Sequence, residues 1–345
     1  MVVRVAINGY GTVGRRVADA VALQTDMMVV GVVKTRPSFE AIHAIKKGYP
    51  LYVNAKENKK AFDEAGIKIE GTVTDLLENA DIVVDATPDG IGVENRKKLY
   101  EPRKLSAIFQ GGEEAEVAQV SFNANSNYEK AIGKKYVRVV SCNTTGLCRT
   151  VGAIDRHFKT SKVRAVLIRR GPDPANISKG PVNAIVPDPV TVPSHHGPDV
   201  NTVLPDLNIT TVAIKVPTTL MHVHTINANL KNGASKEGII ELFNKTPRVI
   251  MVKASNGFKS TAHIMEWARD LNRMRSDLNE IAVWEESVHV SDGEVFYMQA
   301  IHQESDVVPE SVDAIRAMLE LERDPLASVK KTDRALGLKP WWKAF

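Results

Sequence analysis

Short apolar runs alternate with longer polar stretches through the first 141 residues. Each run is rich in β-branched residues and long enough for one buried strand; the runs are 2–8, 28–33, 81–87, 106–110 and 137–141. The stretches between them are suited to helices. Strands that alternate with helices favour parallel pairing, because each helical crossover returns the chain to the same end of the sheet. The pattern therefore predicts an α/β domain with a mostly parallel sheet.

The pattern changes after residue 142. A segment with helical spacing, 144–158, precedes three long strand-like runs at 163–171, 210–219 and 220–230, with few helices between them. Long strands without crossover helices favour antiparallel pairing. We therefore expect a second domain of α+β type with a mixed or antiparallel sheet.

Two further segments complete the outline of the chain. Residues 171–206 are rich in proline and glycine, yet too apolar for a disordered segment, so they predict an ordered loop excursion without regular structure. Residues 310–322 place apolar side chains at helical spacing after Pro309, so the chain is expected to end on a helix.

Composition narrows the class of protein. The 345 residues are 43% hydrophobic and 25% charged, with a net charge of +4 and two cysteines. These values exclude a disulfide-stapled miniprotein and an integral membrane protein, and the charge balance alone does not imply a nucleic-acid partner. The first apolar run is too short for a signal peptide, which predicts a cytoplasmic protein.

A glycine fingerprint follows the first predicted strand. Gly9, Gly11 and Gly14 have the spacing GxGxxG and lead into a helical pattern at 15–23. In such a turn the first glycine permits a tight bend, the second lets a pyrophosphate approach the backbone, and the third allows close helix–strand packing. Its context favours a dinucleotide-binding (Rossmann) domain over a plain βα turn. The predicted cofactor-binding residues of the turn are Gly9, Tyr10, Gly11, Thr12 and Val13.

Basic residues end the second predicted strand. An NAD-binding domain usually carries a carboxylate about 20 residues after the fingerprint, where it binds the adenosine ribose. Here Lys34, Thr35 and Arg36 occupy that stretch. Because cationic side chains suit a 2′-phosphate, we favour NADP as the cofactor, with NAD as the alternative; a solvated basic loop is the other interpretation.

The two cysteines have different predicted roles. Cys142 stands where a strand stops and a helix begins, so the positive end of the helix dipole is expected to lower its pKa and favour the nucleophilic thiolate. The alternative is a small buried hydrophobe. Cys148 lies within the helix between apolar residues and is interpreted as core.

Two histidines, His222 and His224, are two apart on a predicted strand and so share one face. An imidazole suits proton transfer near neutral pH, and one of the pair is a candidate base. The alternatives are two core histidines, or a metal pair, for which no third ligand with zinc-like spacing is seen.

Several motifs together carry a family resemblance. They are NGYGTVGRRVADA, VVKTRPSFEA, DATPDG, FQGGE, SCNTTGLCR, the stretch from RRGPDP to PSHHGPDV, and VPTTLMHVH. The chain closely resembles the archaeal type of phosphorylating glyceraldehyde-3-phosphate dehydrogenase over essentially its whole length. The resemblance implies oxidation of glyceraldehyde 3-phosphate, with inorganic phosphate as co-substrate, to 1,3-bisphosphoglycerate through a cysteine hemithioacetal and thioester, in glycolysis or gluconeogenesis.

The resemblance also implies roles for individual residues. Cys142 is the expected nucleophile, and His222 is chosen as the base by the family's spacing from cysteine to histidine. The expected substrate-binding residues are Ser141, Asn143, Thr144, Arg169, His195, His196 and Gly197. Beyond the turn and the basic stretch, the expected cofactor contacts are Gln110, Gly111, Arg170 and Gln303, and no metal is expected.

The implied organisation is a dinucleotide-binding domain of 1–141 and 306–345, to which the last helix returns, and a catalytic domain of 142–305. A homotetramer is expected, without a nucleic-acid or membrane partner. Two competing functions stay open at this point. One is a related cysteine-dependent semialdehyde or acyl-phosphate reductase, and the other is an inactive dinucleotide-binding sensor.

Overall fold

The computed structural model describes residues 2–110, 112–172, 180–181 and 183–338. The chain divides into two compact units. Unit 1 comprises Met1–Ser141 and Val307–Gly337, and unit 2 runs from Cys142 to Asp306, with Leu338 as its last described residue. Each unit is described by itself.

Unit 1 is built on an eight-stranded sheet, in the order β4-β3-β2-β1-β5-β6-β8-β7. All of its described strand pairs are parallel, as the βα alternation predicts. The strands are β1 Val3–Asn8, β2 Met27–Lys34, β3 Leu51–Val53, β4 Gly71–Thr72, β5 Ile82–Asp85, β6 Ser106–Phe109, β7 Val120–Phe122 and β8 Tyr136–Val139. β3, β4 and β7 were not expected, because runs of two or three residues carry no periodicity.

The helices of unit 1 are α1 Thr12–Ala22, α2 Phe39–Lys46, α3 Lys59–Glu64, α4 Val73–Leu77, α5 Ile91–Asn95, α6 Ala124–Asn127, α11 Val308–Met318 and α12 Pro325–Ala335. The helix expected at 310–322 corresponds to α11, and the second helix that follows it, α12, was not expected. Glu320 has a φ of 56°, a left-handed conformation that ends the first of them. Asp324 then caps the second by accepting hydrogen bonds from the backbone of Leu326 and Ala327.

Unit 2 contains a second eight-stranded sheet in the order β10-β11-β9-β12-β16-β14-β13, with β15 paired to β16. Its strands are β9 Thr160–Arg170, β10 Val186–Pro187, β11 Ile209–Val216, β12 His222–Leu230, β13 Val249–Val252, β14 Ile281–Trp284, β15 His289–Ser291 and β16 Glu294–Ile301. Its helices are α7 Cys142–Phe158, α8 His196–Asn201, α9 Lys236–Lys245 and α10 Thr261–Asp270.

The sheet of unit 2 is mixed rather than purely antiparallel. β12 runs antiparallel to both β9 and β16, whereas β9 and β11 pair in parallel, as do β13 and β14. The expectation that 171–206 lacks regular structure is also wrong for its described part, since α8 and the two-residue β10 lie there. Residues 173–179 and 182 of that stretch lie outside the described residues.

The strand β12 carries its histidines on the buried face of this sheet. Its burial alternates with a period of two, so that His222, His224 and Ile226 are buried while Val223 and Thr225 are partly exposed. The long helix α7 is buried over most of its length from Asn143 to Ile154. Cys142 is the first residue of α7, two residues before the start that its periodicity predicts.

Candidate functional site

The glycine turn of unit 1 has the geometry of a phosphate cradle. Gly9 has a φ of 99°, and a Cβ there would lie 2.6 Å from the carbonyl oxygen of Ala86 at the end of β5. A Cβ on Gly14 would lie 1.9 Å from the Gly9 carbonyl oxygen, so both positions require glycine for packing. A Cβ on Gly11 would meet no protein atom within 4 Å. Protein packing therefore does not explain Gly11, whereas the close approach of a ligand phosphate does.

The start of α1 fits the same ligand. Gly11 caps this 11-residue helix without a side-chain hydrogen bond, and no acidic residue stands in the first turn, which begins with Thr12 and Val13. Helix N-terminal N–H groups in such a turn bind anions. Tyr10 is fully buried, and its backbone N–H donates to the carbonyl of Val33 on β2. The turn is thereby held to the sheet.

A mixed-charge cluster follows β2. Lys34 ends that strand and its Nζ lies 3.7 Å from a carboxylate oxygen of Glu40, while Thr35 and Arg36 are exposed. Burial lowers the pKa of Lys34, although Glu40 opposes this shift. The guanidinium of Arg15, on α1, is close enough to act on the same ammonium. Arg15 and Glu40 are residues that sequence reasoning missed, because their proximity to Lys34 arises only when α1 and α2 pack beside β2.

The expected amide contacts to the cofactor are buried side chains. Gln110 follows β6, and its Nε2 donates to the Ser311 hydroxyl over 2.5 Å. Its Oε1 is buried without a hydrogen-bond partner among the described residues, and so is Oε1 of Gln303 in unit 2. Unsatisfied buried amide oxygens are expected where a ligand supplies the donor. Gly111 lies outside the described residues.

Cys142 opens α7 in a half-buried position. Burial, followed by the charge of the Asp306 carboxylate, raises the pKa of its thiol to about 12. Arg169, Arg170 and the backbone N–H of Asn143 act in the opposite direction. The expected low pKa is therefore wrong for this state, because desolvation of the thiolate outweighs the helix terminus and both guanidinium groups. Cys148 is fully buried, as a core residue is expected to be.

His222 is buried on β12, where its Nδ1 accepts a hydrogen bond from the backbone N–H of Arg170 over 3.0 Å. This bond assigns the proton of the neutral ring to Nε2. Burial lowers the pKa of His222 well below its usual value, and the charges of Arg169 and Arg170 lower it further. In this tautomer Nε2 is a hydrogen-bond donor, so the ring as placed favours donation over the expected action as a base.

His224 lies on the same face and is held from both sides. Its Nε2 lies 2.9 Å from Oδ1 of Asn143, the second residue of α7, and its Nδ1 lies 3.3 Å from Nε2 of Gln299. All three side chains are buried. Because both nitrogens of the His224 ring are hydrogen-bonded to protein side chains, the geometry favours a structural role for His224.

Cations gather at the carboxyl end of β9. Arg169 forms an ion pair with Asp188, whose other carboxylate oxygen lies 3.0 Å from Lys215 Nζ. Arg169 and Lys215 are neighbours in the register of β9 and β11. With Arg170 next along the chain, three cations accompany one carboxylate and leave a net charge of +2. Lys215 was missed by sequence reasoning, since only the parallel pairing of β11 with β9 places it there.

The histidine pair at 195–196 stands beside this cluster. His195 is exposed and its ring stacks on that of buried His196, with centroids 3.9 Å apart. Burial, and then the charge of Arg169, lowers the pKa of His196 to about 2. The backbone N–H of Gly197 donates to Oγ1 of Thr211, and a Cβ on Gly197 would lie 3.2 Å from that oxygen. Gly197 thus lets α8 pack closely on β11.

Two remaining expected substrate contacts are Ser141 and Thr144. Ser141 is partly buried at the end of unit 1. Thr144 is fully buried, and its hydroxyl donates to the carboxylate of Asp199 on α8. This bond joins the first turn of α7 to the helix that carries His196, so the structure gives Thr144 a positioning contact.

The structure thus assembles one neighbourhood within unit 2. Arg169 acts electrostatically on the Cys142 thiol and on the rings of His222, His224 and His196. A nucleophile, a neutral donor ring and an excess of cations suit covalent catalysis on an anionic substrate.

Comparisons with known proteins identify the family of the chain. Residues 141–287 match the family model "Glyceraldehyde 3-phosphate dehydrogenase, C-terminal domain". A curated protein of Methanobacterium bryantii named glyceraldehyde-3-phosphate dehydrogenase is 59% identical to this chain, over 97% of this chain and 99% of its own length. The chain belongs to the glyceraldehyde-3-phosphate dehydrogenase family. The relative of that name in Methanothermobacter thermautotrophicus is 59% identical with the same coverage, and that in Methanothermus fervidus is 58% identical over 97% of this chain and 98% of its own.

The family membership confirms the resemblance and the fold class expected from the motifs. The family match begins at Ser141, one residue before α7 and the candidate nucleophile. Over the described residues, no helix combines the length and apolar character needed to cross a bilayer.

Proposed function

We propose that this protein is a phosphorylating glyceraldehyde-3-phosphate dehydrogenase that works in the cytoplasm. The observation that carries the proposal is Cys142 at the start of α7, in reach of the charges of Arg169 and Arg170. The net reaction converts the aldehyde, inorganic phosphate and the oxidised cofactor to 1,3-bisphosphoglycerate, the reduced cofactor and one proton. Membership of a family whose curated members carry this name supports the same reaction.

The first step is attack of the Cys142 thiolate on the aldehyde carbon. The carbonyl π electrons move to oxygen, and a carbon–sulfur bond forms. Both guanidinium groups favour the thiolate, which opposes the effect of burial and of Asp306. An anionic substrate that is drawn to Arg169 and Arg170 would bring its aldehyde to the thiol.

The oxygen of the hemithioacetal then needs donors. The Nε2–H of His222 is one candidate, because the Arg170 N–H occupies Nδ1. The amide of Asn143 is a second. Donors aimed at a developing oxyanion are typically worth about 10²–10³ in rate each. An oxyanion held in this way needs no further base, since its electron pair re-forms the carbonyl group as hydride leaves carbon.

A bound nicotinamide would supply the hydride acceptor. The resulting thioester is cleaved when a phosphate oxygen attacks its carbonyl carbon, the Cys142 thiolate departs and the phosphate releases its proton to solvent. Arg169, Arg170 and Lys215, together with His195, His196 and Gly197, are the proposed sites for the two phosphate groups. Three cations against the single carboxylate of Asp188 favour bound anions.

The residues of unit 1 fit a nicotinamide dinucleotide. Gly11 offers open space to the pyrophosphate, and the uncapped start of α1 offers its N–H groups. We propose NADP as the preferred form, because Arg15, Lys34 and Arg36 outnumber Glu40 at the end of β2. Gln110 and Gln303 are further proposed cofactor contacts.

The proposed function is tested by absorbance of the reduced cofactor at 340 nm. The purified protein receives glyceraldehyde 3-phosphate with NADP or NAD, with and without inorganic phosphate. We expect reduction that depends on phosphate and is faster with NADP at low cofactor concentration. Reduction of a semialdehyde substrate alone, or none with any aldehyde, would contradict the proposal.

We also propose a homotetramer. The outer face of the unit 2 sheet exposes the apolar side chains Val166 on β9 and Phe296 and Met298 on β16, the two strands that flank β12. Exposed apolar side chains on a sheet face favour burial against a second copy. Sedimentation of the wild type and of Met298→Lys tests this; we expect a tetramer that dissociates in the variant.

A further inference from the structure

Five buried polar side chains of unit 2 form a continuous polar chain from β16 to the start of α7. The Tyr297 hydroxyl donates to Thr150 Oγ1 over 3.0 Å, and that hydroxyl donates to Oε1 of Gln299 over 2.7 Å. Nε2 of Gln299 lies 3.3 Å from Nδ1 of His224, and Nε2 of His224 lies 2.9 Å from Oδ1 of Asn143. All five residues are almost completely buried.

The direction of every bond in the polar chain follows from its first member. The Thr150 hydroxyl accepts the Tyr297 proton, and its own proton faces two acceptors, of which Oε1 of Gln299 at 2.7 Å is nearer than the Gly146 carbonyl oxygen at 3.1 Å. The Gln299 amide therefore turns its NH₂ group toward His224, whose Nδ1 must accept. The single proton of the neutral ring is then on Nε2, which donates to Asn143.

This arrangement keeps His224 neutral. Protonation of Nδ1 would set an N–H against the NH₂ group of Gln299 and break the polar chain. Burial, followed by the charge of Arg169, lowers the pKa of His224 to about 3, in agreement with the hydrogen-bond directions. Because the Nδ1 lone pair accepts from Gln299 and Nε2 carries the proton, the His224 ring has no lone pair left with which to accept a proton from a substrate.

The polar chain ends at the residue next in sequence to the candidate nucleophile. Asn143 follows Cys142 directly, and its backbone N–H acts to lower the pKa of the Cys142 thiol. Since His224 occupies Oδ1, the amide presents its two Nδ2 hydrogens instead of its oxygen on the other side. An amide turned the other way would aim a carbonyl oxygen there and would repel an oxyanion.

We propose that His224 is a positioning residue that, through the polar chain to Tyr297, fixes the Asn143 amide so that Nδ2 donates to the hemithioacetal oxygen on Cys142. This inference deepens the proposed function and rests on it. Thr150, Gln299 and Tyr297 then take part in the reaction without touching the substrate.

The first test compares His224→Gln with His224→Leu. Glutamine retains an N–H donor near the position of Nε2 but cannot exchange a proton, whereas leucine retains neither property. We expect His224→Gln to stay within about tenfold of the wild-type kcat and His224→Leu to lose about 10²–10³, with KM little changed in both. Equal losses in the two variants, with the loss of a limb from the pH–rate profile, would make His224 a base and overturn the proposal.

The second test acts at the far end of the polar chain. Tyr297→Phe removes only the hydroxyl that sets its direction, and Tyr128→Phe is the matched control. Tyr128 is an equally buried tyrosine of unit 1, whose hydroxyl donates to the Glu322 carbonyl over 2.7 Å. We expect Tyr297→Phe to lower kcat about two- to thirtyfold, the usual range for indirect coupling, while the control keeps the wild-type kcat. Equal effects of the two variants would reduce the role of Tyr297 to stability.

The third test needs no substrate. In protein with ¹⁵N-labelled histidine rings, the His224 signals, assigned by their loss in His224→Gln, should show a neutral ring protonated on Nε2 at pH 7. In Gln299→Glu, a carboxylate that accepts from both neighbours should move the ring proton to Nδ1 or give an imidazolium. A wild-type ring protonated on Nδ1 would overturn the inference even if the dehydrogenase activity is present. A correct tautomer without activity would instead refute the proposed function.

Discussion

The backbone N–H of Arg170 donates to Nδ1 of His222 over 3.0 Å, so a peptide group of β9 determines which nitrogen of a buried ring on β12 carries the proton. The bond exists because β9 and β12 are antiparallel neighbours and their ends meet at this point. A base would need its lone pair on Nε2, which requires the other tautomer and the loss of this bond. The geometry therefore favours a donor at His222.

Replacement of His222 by asparagine tests this role. Asparagine is too short to bring its amide to the position of Nε2, so the oxygen of the hemithioacetal loses a donor. We expect kcat to fall by about 10²–10³. Steady-state rates with circular dichroism as a control for folding provide the measurement. A wild-type kcat in a folded His222→Asn variant would show that His222 is not this donor.

The two cysteines allow a matched comparison within one helix. Cys142→Ser should abolish aldehyde oxidation and leave the affinity for NADP unchanged, because the thiol lies in unit 2 and the glycine turn lies in unit 1. Cys148→Ser places a hydroxyl in the buried face of α7, so it should lower mainly thermal stability. Rates and cofactor titrations of both variants are the measurements. Similar residual rates in the two would show that Cys142 is not the nucleophile.

The pKa of Cys142 gives a pH dependence that is open to direct measurement. Because burial and Asp306 raise this pKa to about 12, the thiolate is the minor form at neutral pH. Alkylation of Cys142 by iodoacetamide should therefore accelerate about tenfold per pH unit between pH 7 and 10, without a plateau. Asp306→Asn removes a negative charge beside the thiol, lowers its pKa and should speed alkylation at pH 8. A plateau below pH 8 in the wild type would contradict the raised pKa.

The last helices of unit 1 are held by a buried guanidinium. Arg316 donates to both carboxylate oxygens of Asp26, at 2.8 and 3.0 Å, and lies 3.8 Å from the fully buried Asp313. Arg316→Met leaves Asp313 without its nearest cation and should cost about 3 kcal/mol in the free energy of unfolding. Arg323→Met, which breaks an exposed pair with Glu320, is the control and should cost under about 1 kcal/mol. Chemical denaturation of both variants measures the difference.

The ion pair of Asp26 with Arg316 also contributes to the dependence of stability on acid pH. Desolvation raises the pKa of Asp26, but the hydrogen bonds and charge of Arg316 outweigh it, so the folded-state pKa is lowered. A lowered carboxyl pKa contributes stability above the unfolded value and loses it as pH falls through the folded value. Arg316→Met should therefore lose less stability than the wild type between pH 5 and 2.

Much of the fold follows from periodicity, and the failures have identifiable causes. The five runs predicted before residue 141 correspond to β1, β2, β5, β6 and β8, because buried parallel strands are continuous apolar runs. The short strands β3, β4 and β7, which lie at or next to the edges of the sheet, were not predicted, since they depend on tertiary pairing. The parallel pairing of β9 with β11 was also not predicted, because the connection between them is the proline-rich stretch and not a long crossover helix.

The candidate site residues also divide into those that the sequence predicted and those that it did not. Cys142 and the glycine turn were identified because their chemistry depends on local context, a strand followed by a helix. Gln299, Thr150 and Tyr297 were not, since their roles depend on the cross-strand register of His224 with Gln299 and on the packing of α7. The expected low pKa of Cys142 was wrong because the sequence indicates the helix terminus but not the depth at which the thiol is buried.

The cofactor preference rests on a balance of charges at the end of β2. Arg15, Lys34 and Arg36 favour a 2′-phosphate, while Glu40, 3.7 Å from Lys34, opposes it and could instead bind a ribose hydroxyl. Each charge-assisted hydrogen bond to a phosphate is worth about 1.5–3 kcal/mol. One such bond corresponds to about tenfold or more in affinity. The half-buried position of Lys34 limits screening by salt, so the attraction should persist at physiological ionic strength.

Two variants should therefore shift the preference in opposite directions. Lys34→Asp sets a like charge against the 2′-phosphate and should lower the ratio of kcat/KM for NADP to that for NAD to one or below, with little change for NAD. Glu40→Gln removes the competing carboxylate without a change in size, frees Lys34 from its ion pair and should raise the same ratio. The measurement is this ratio in the wild type and both variants at two salt concentrations. A wild-type ratio below one, or a ratio that neither variant moves, would show that this cluster does not select the cofactor.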